Sequence, residues 1–506
     1  MNPVLETTWL LKNSIETSEL LTTLESRFRV ESDSPVTSNI TVYDDFDASL
    51  WKSDHLLCRV NKLTLQLSSH AGSVAEVRAP AKARFWWELP DSDVKTRLKK
   101  LIGLRAVTPI ASLEQTTTPF ILRNSDDKIV ARCQLLQATA NNESYHYLTL
   151  QQMRGYKKSY SQAKKLLMPL SARQIPDFGL RAVLSGQSLV SSENDSAPAL
   201  HLSPDMPAEL AVRAMAAQMV QQASRHIDGI IADTDTVFLH QFRVSVRKLR
   251  SLVSLLKKTL PPATVQTVGP QLSAIAAQTS RLRDLDVFLL DKNHYRTMLP
   301  DTHEAGLDEL FRLVEKQRQQ EKSRVARYFS SSAYDDDMGV CITALSAEPA
   351  FETPISRKPV LSVAKLLLIT RYKKIRSMSA RLHAESVDDD VHEIRKELKK
   401  LRYLIEFFIE LLPRKRTARL HSRLKKLQVT LGQFNDYCVQ IEFLSSFNDD
   451  RQIEMTKALS GLIAILHHKQ IETRNQVEAA LSRFFTDEMA MEIELAFGAK
   501  ASGESV

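Results

Sequence analysis

The stretch His240-Gln241-Phe242-Arg243-Val244-Ser245-Val246-Arg247-Lys248-Leu249-Arg250 recurs as His392-Glu393-Ile394-Arg395-Lys396-Glu397-Leu398-Lys399-Lys400-Leu401-Arg402. The offset is 392 − 240 = 152 residues, and the histidine, first arginine, second basic pair, leucine and last arginine keep their places. Without a gap, the same offset pairs Leu252 with Leu404, Pro261 with Pro413, and Asp284 with Asp436. One register over so long a span marks an internal duplication. At about 100° per residue, His240, Arg243, Arg247 and Arg250 fall within an arc of roughly 80°. Phe242, Val246, Leu249, Val253 and Leu256 fall opposite, and Ile394, Leu398, Leu401, Ile405 and Phe408 repeat that face. Apolar spacing of this kind packs a helical bundle and leaves the basic stripe outside the packed face.

Working outward, the whole region after Pro207 has helical periodicity. Long segments are expected at about 207–231, 236–260, 266–292, 303–330, 357–384, 390–412, 416–446 and 451–486, with a short one near 487–497. Before it, residues 1–180 mix short alternating runs such as Leu63–Leu67 and Tyr147–Leu150 with short helices at 91–104 and 161–168. A Ser/Asn/Asp/Pro-rich stretch separates the two regions. The expected organisation is an α+β domain over 1–184, a linker over 185–204, an all-α domain over 205–490 and a tail over 491–506. The all-α domain divides into repeats at about 205–350 and 355–490, each a four-helix unit.

Charge distinguishes the basic stripes from ordinary solvated faces, which interleave signs. Residues 236–283 hold eight Lys/Arg and no acid; residues 353–384 hold another eight, again with no acid. Unneutralised like charges repel along a helix, so such stripes suit a polyanionic partner. The histidines open the stripes, where neighbouring positive charge disfavours their protonation. Asp284 and Asp436 are open to two roles: orienting a histidine or arginine, or capping a helix.

Composition excludes several classes. The chain has 506 residues, 43% apolar and 25% charged, with a net charge of +8, as in a globular, mildly basic protein. Its 13 glycines disfavour a glycine-loop nucleotide binder. Cys58, Cys133, Cys341 and Cys438 are far apart, which excludes a disulfide framework or a cysteine zinc site and suits a reducing cytosol. Neither a signal peptide nor a membrane span is expected. His421, His467 and His468 lack metal-ligand spacing.

The paired HxxRxxxRKLR-type helices, Arg281-Leu282-Arg283-Asp284-Leu285-Asp286, and Leu431-Gly432-Gln433-Phe434-Asn435-Asp436 resemble the CHAD domain, the conserved-histidine α-helical domain, over about 205–490. The resemblance implies two pseudo-twofold-related four-helix bundles whose basic helices line a positive groove. It also implies binding of inorganic polyphosphate and association with polyphosphate granules in a bacterial cytoplasm. Carried over, the motif places His240, Arg243, Arg247, Lys248, Arg250, Arg281 and Arg283 in the first copy, and His392, Arg395, Lys396, Lys399, Lys400 and Arg402 in the second. Arg371 and Lys374 join them from the acid-free segment. Glu393 and Glu397 are expected on the flank. No cofactor, metal or catalytic residue is required, because Arg and Lys bind phosphate oxygens directly.

Tyr43-Asp44-Asp45-Phe46-Asp47-Ala48-Ser49-Leu50, followed by Leu56–Val60, is similar to the early strand-turn-strand of the CYTH (triphosphate tunnel) family, an antiparallel β-barrel or tunnel fold. That family's first strand carries ExExK to hold divalent metal; Glu6-Thr7-Thr8-Trp9-Leu10 keeps one acid, and Leu148–Met153 has none. A hard divalent cation needs several carboxylate oxygens. The resemblance is thus to a degenerate CYTH-like domain without triphosphatase activity. Arg59, Lys62 and Arg78 are its candidate anion contacts, with ordinary surface charge the alternative; a protein partner is its other possible use. The competing functions are a metal-dependent inorganic triphosphatase tethered to polyphosphate by the helical domain, and a nucleic-acid binder. Tyr372 and Tyr403 are the aromatics near the stripes, too few for base stacking.

Overall fold

The computed structural model describes residues 6–11, 17–69, 74–140, 143–175, 201–383, 386–447 and 453–498. The chain forms two compact units, 1–196 and 197–506. The expected linker 185–204 lies outside the described residues up to position 200.

The first unit is an antiparallel sheet with helices. Its strands are β1 (Glu6–Leu11), β2 (Arg29–Ser32), β3 (Val36–Asp44), β4 (His55–Arg59), β5 (Thr64–Ser69), β6 (Val74–Arg78), β7 (Thr108–Arg123), β8 (Ile129–Ala140), β9 (Glu143–Gln152) and β10 (Ser171–Ile175). They pair in the order β10-β1-β9-β8-β7-β3-β4-β5-β6, with β2 continuing the β3 edge of β7. The helices are α1 (Thr17–Glu25), α2 (Ser49–Lys52), α3 (Asp93–Ile102) and α4 (Lys157–Leu167). Alternation splits the strands between two faces. Trp9, Leu11, Cys133, Leu148 and Leu150 pack with Leu20 and Leu24 of α1 and Ala163 and Leu167 of α4. Ile40, Val42, Leu56, Cys58, Leu113, Ala138 and Tyr147 form a separate apolar cluster. Asp44 accepts hydrogen bonds from the amides of Asp45, Leu50 and Trp51, fixing the turn into α2. Arg59 is buried and donates to the Lys62 and Pro80 carbonyls, so its candidate role gives way to a structural one. Lys62 and Arg78 are exposed.

The second unit is all helical: α5 (Ala208–Ser224), α6 (Ile227–Ile231), α7 (Thr236–Leu255), α8 (Pro262–Gln278), α9 (Ser280–Leu290), α10 (Lys292–Met298), α11 (Glu304–Phe329), α12 (Ser332–Ser346), α13 (Val360–Ser379), α14 (Asp388–Phe407), α15 (Arg414–Ser445), α16 (Ile453–Phe484) and α17 (Asp487–Phe497). The duplication is visible in where helices begin. α5 and α13, α7 and α14, and α8 and α15 start 152 residues apart (360 − 208, 388 − 236, 414 − 262). Prolines precede the paired starts, Pro207 with Pro359 and Pro261 with Pro413, because a missing N–H costs nothing at a helix entry. Asp235 caps α7 by accepting from the amides of Val237 and Phe238; its mate is Val387, and Asp388, Asp389 and Asp390 supply negative charge to the first turn of α14 instead.

The two copies meet across a pseudo-twofold axis. The Ala208 amide donates to the Lys358 carbonyl at 2.9 Å, and the Val360 amide donates to the Met206 carbonyl at 2.8 Å. Each bond is the other with its two copies exchanged (208 + 152 = 360, 206 + 152 = 358), and Pro207 bridges its own mate Pro359. α7 packs on α14 and α11 on α16. One core spans both copies, joining Leu285, Phe288, Leu307, Phe311 and Val314 to Leu444, Phe447, Leu459 and Leu462.

Three features differ from expectation. The segment 266–292 is two helices broken at buried Thr279, whereas its mate α15 runs through Leu431. A helix beyond those expected, α12, follows α11 in the first copy, while the short helix expected near 487–497 is α17. The buried residues of α12 (Tyr334, Met338, Cys341, Leu345) keep bundle spacing, but Asp335-Asp336-Asp337 and Gly339 obscure it in the sequence. α17 crosses the expected domain end at 490 and buries Met489, Ile493 and Phe497.

Candidate functional site

α7 and α14 lie side by side, and the apolar faces named from the sequence are buried: Phe242, Val246, Leu249 and Val253 on one, Ile394, Leu398, Leu401 and Ile405 on the other. The remaining faces open on one cleft of about 410 Å³. His240, Arg243, Arg247 and Arg283 of the first copy line it together with Arg395 and Lys399 of the second. The opposite wall, from α9, α10 and α15, contributes Asp284, Asp291, Asn435 and Asp436.

Arg243 is held without a carboxylate. Its Nη1 donates to the Ala276 carbonyl at 2.9 Å and to the Thr279 and Ser280 hydroxyls at 2.8 and 3.2 Å. The break between α8 and α9 therefore has a use. It presents the Ala276 carbonyl and two hydroxyls, which fix the guanidinium without a bonded carboxylate. The second copy lacks the break, and Arg395 instead has Asp436 at 4.0 Å. Among the described residues, Arg247, Arg250, Arg283 and Lys399 make no ion pair. Arg247 is central: its charge bears on His240, Arg243, Arg283, Arg395 and Lys399 alike.

This crowding disfavours further positive charge. Burial, with Arg283, Arg247 and Arg243 nearby, pushes His240 down to about 4, so its imidazole is neutral near pH 7. Burial, with Arg395, Arg247 and Arg402, pushes Lys399 down to about 8. An anion in the cleft would oppose the part of both shifts that comes from neighbouring cations, so its binding takes up protons. Were Lys399 restored to its ordinary value in the complex, anion affinity would fall about tenfold between about pH 7 and pH 9, which is the upper bound of the effect. Calorimetry in buffers of different ionisation enthalpy should record that uptake.

The other motif residues point elsewhere. Arg371, Lys374 and Lys400 converge on the Glu397 carboxylate; the Lys374 and Lys400 ammonium groups stand at 3.2 and 2.8 Å. Glu397 is 2% exposed, the reverse of the flank position expected for it. Burial alone would raise its pKa, but hydrogen bonds from Lys400 and Arg371 outweigh it and hold the group at about 2. Glu393 is exposed and pairs with Lys396 at 2.7 Å. Glu406 bridges Lys248 at 2.9 Å and Arg402 at 3.2 Å, and Arg402 also donates to Gln428. Arg281 donates to Gln317 and lies over the Phe443 and Phe447 rings. His392 is half-buried and, unlike its mate His240, does not line the cleft. Asp291, Asn435 and Gln440 line the cleft and were not found from the sequence, since polar residues on a long helix carry no signal of what they face.

Asp284 and Asp436 are both inside helices, which removes the capping role. Among the described residues neither hydrogen-bonds a histidine. Tyr372 and Tyr403 are each 3% exposed and offer no stacking surface. Among the described residues there is no group of three or more His, Cys, Asp or Glu side chains arranged to hold a metal ion, and no helix long and apolar enough to cross a membrane.

Comparisons with known proteins cover both units. No curated protein matches the chain. Among solved structures, the CHAD domain from Ricinus communis is similar at 24% identity and a TM-score of 0.47, covering 56% of this chain and 95% of that one. PptA from Streptomyces chartreusis is similar at 15% identity and a TM-score of 0.43, covering 55% and 99%. A putative adenylyl cyclase from Hippeastrum, described as having a dominant triphosphatase activity, is similar at 12% identity and a TM-score of 0.26, covering 37% and 96%. The model of the CHAD domain family matches residues 214–445, which reach from α5 to the last turn of α15 and include both basic helices and both cleft carboxylates, and the chain therefore contains a CHAD domain.

Proposed function

We propose that the CHAD domain of this chain binds inorganic polyphosphate, with His240, Arg243, Arg247, Arg283, Arg395 and Lys399 as its contacts in the cleft. One observation carries this: basic residues of both copies meet on a single cleft, and among the described residues Arg247, Arg283 and Lys399 there make no ion pair. Polyphosphate is a flexible chain of about one charge per unit, and each of its oxygens accepts from guanidinium or ammonium. Arg250, exposed one turn beyond Arg247, extends the track. Nucleic acid fits less well, because the nearby tyrosines are buried and base stacking has no platform.

Binding of this kind is driven by counterion release, so affinity falls steeply with salt. With about six charged contacts, the five cleft cations and Arg250, and a single-strand slope, raising salt from about 50 to 200 mM should weaken binding some 300-fold. Titration of labelled long-chain polyphosphate at several salt concentrations measures this directly. A flat salt response, or equal competition by RNA, overturns the proposal. Association with polyphosphate granules in the cytoplasm follows as a cellular expectation, read by imaging a fluorescent fusion in cells with and without polyphosphate.

For the sheet unit we propose no metal-dependent triphosphatase activity. Thr8 stands in β1 at the position alternate to Glu6 where a second glutamate would be needed, and it bonds to the Thr149 hydroxyl at 3.2 Å. The cluster around Ile40, Val42, Leu56 and Tyr147 is apolar, an environment hostile to a hydrated divalent ion. Steady phosphate release from tripolyphosphate with Mg²⁺ or Mn²⁺ would reverse this. A protein partner for this unit is the remaining proposal, read by affinity capture with residues 1–184 deleted as the control.

A further inference from the structure

Of the three carboxylates that line the cleft with the cations, Asp284 and Asp436 come one from each copy at the same repeat position. Neither anchors the fold. Both lie inside helices and are exposed, and Asp436 stands 4.0 Å from Arg395, at the outer limit of an ion pair. Each acts on the cations of its own copy: Asp284 on Arg243 and Arg283, Asp436 on Arg395 and Lys399. They are internal anions placed where the ligand's oxygens would come. Elsewhere in the domain a carboxylate among cations is buried and tightly bonded, as Glu397 is. These two are not, so they remain as repulsive charges toward any anion that enters.

Resting on the polyphosphate reading of the cleft, we propose that Asp284 and Asp436 are specificity-determining residues that set a minimum chain length for the bound polyanion. The penalty they impose is fixed, because there are two of them at fixed places. The attraction grows with every phosphate that reaches a further cation, such as Arg247 in the cleft or Arg250 beyond it. A short anion such as triphosphate meets the full repulsion with few compensating contacts. A long chain spans both copies and outweighs it. The pair thus rejects the small phosphates that would otherwise occupy so cationic a cleft, a repulsive device against wrong ligands.

The test uses the full chain and compares wild type with Asp284→Asn, Asp436→Asn and the double variant. Asparagine keeps the shape and removes the charge, and thermal midpoints confirm that each variant folds; if the double variant does not, the singles carry the comparison. Binding of tripolyphosphate and of long-chain polyphosphate is measured by calorimetry at fixed salt, without divalent metal. Each substitution should tighten tripolyphosphate binding about tenfold, the effect of removing one like charge at a partly shielded distance. The double variant should therefore bind a short chain that wild type leaves unbound at the same concentration. Unchanged or weaker tripolyphosphate binding by the variants overturns the proposal. Wild type that binds long chains while the variants show no gain condemns the carboxylate role alone. Wild type that fails to bind long chains condemns the polyphosphate reading itself.

Discussion

Replacing Arg247 and Lys399 together by glutamate is expected to lower polyphosphate affinity by about 10³-fold while leaving the empty protein at least as stable as wild type. Each cation lost removes a charge-assisted contact of roughly 2 kcal/mol, and two such losses give about a thousandfold. The reversed charges add repulsion. Stability moves the other way because neither side chain has an ion-pair partner among the described residues. Arg247 lies where its charge bears on cations of both copies, and Lys399 is already pressed toward deprotonation by Arg395 and Arg247. Removing them relieves that crowding, as expected of a site whose function requires mutually repelling groups. A binding titration and a thermal melt on the same preparation decide the matter. Loss of binding accompanied by loss of fold would reduce both residues to structural ones, and retained binding would move the polyanion elsewhere.

Glu397→Gln should destabilise the helical unit strongly. The carboxylate is almost wholly buried, and Arg371, Lys374 and Lys400 depend on it together. Removing one member of a buried ionic cluster strands the others. Lys374 and Lys400 are partly exposed and can swing into water, whereas Arg371 is mostly enclosed. The net cost is then about 2–3 kcal/mol, just below the range of about 3–5 kcal/mol for breaking a fully buried pair. That corresponds to a fall in melting temperature of roughly 5 °C. The sign of the pH dependence follows from the same carboxylate. Its pKa drops from an ordinary 4.5 to about 2 on folding, so its contribution is complete above 4.5 and disappears as pH falls toward 2. Wild type should lose stability in that window, and the difference between wild type and variant should shrink there. A melting temperature within 1 °C of wild type at about pH 7 would show that the cluster contributes little.

The architecture of the helical unit was largely legible because it is written twice. One offset aligned helix starts, prolines and basic stripes, and the apolar positions of α7 and α14 are the buried ones. What escaped was set by contacts that spacing does not encode. Lys248, Lys396, Lys400 and Arg402 share the motif with Arg247 and Lys399, yet each faces a glutamate. Adjacent positions on a helix are about 100° apart, so one residue serves the cleft and the next an ion pair. The break at Thr279 was hidden because the breaking residues of 266–292, Gly269 and Pro270, lie well before it and inside α8; the break has its reason in Arg243, which is distant in sequence. In the sheet unit, strands were recognisable from alternation, but Arg59 was misread, since a buried arginine bonded to carbonyls looks like any other basic residue.

The reciprocal pair of backbone bonds, Ala208 to Lys358 and Val360 to Met206, is the joint an isologous homodimer would have, here closed within one polypeptide. Tethering removes the obligation of identity. Two separate but equal subunits would each have to carry every substitution, and a buried glutamate with its three cations would appear on both sides or neither. In the single chain, Glu397, Arg371 and Lys374 face Ser245, Met219 and Gln222 at the matching places. One half has become a rigid anchor and the other has kept its arginines unencumbered, a division of labour that a symmetric assembly has no means of evolving.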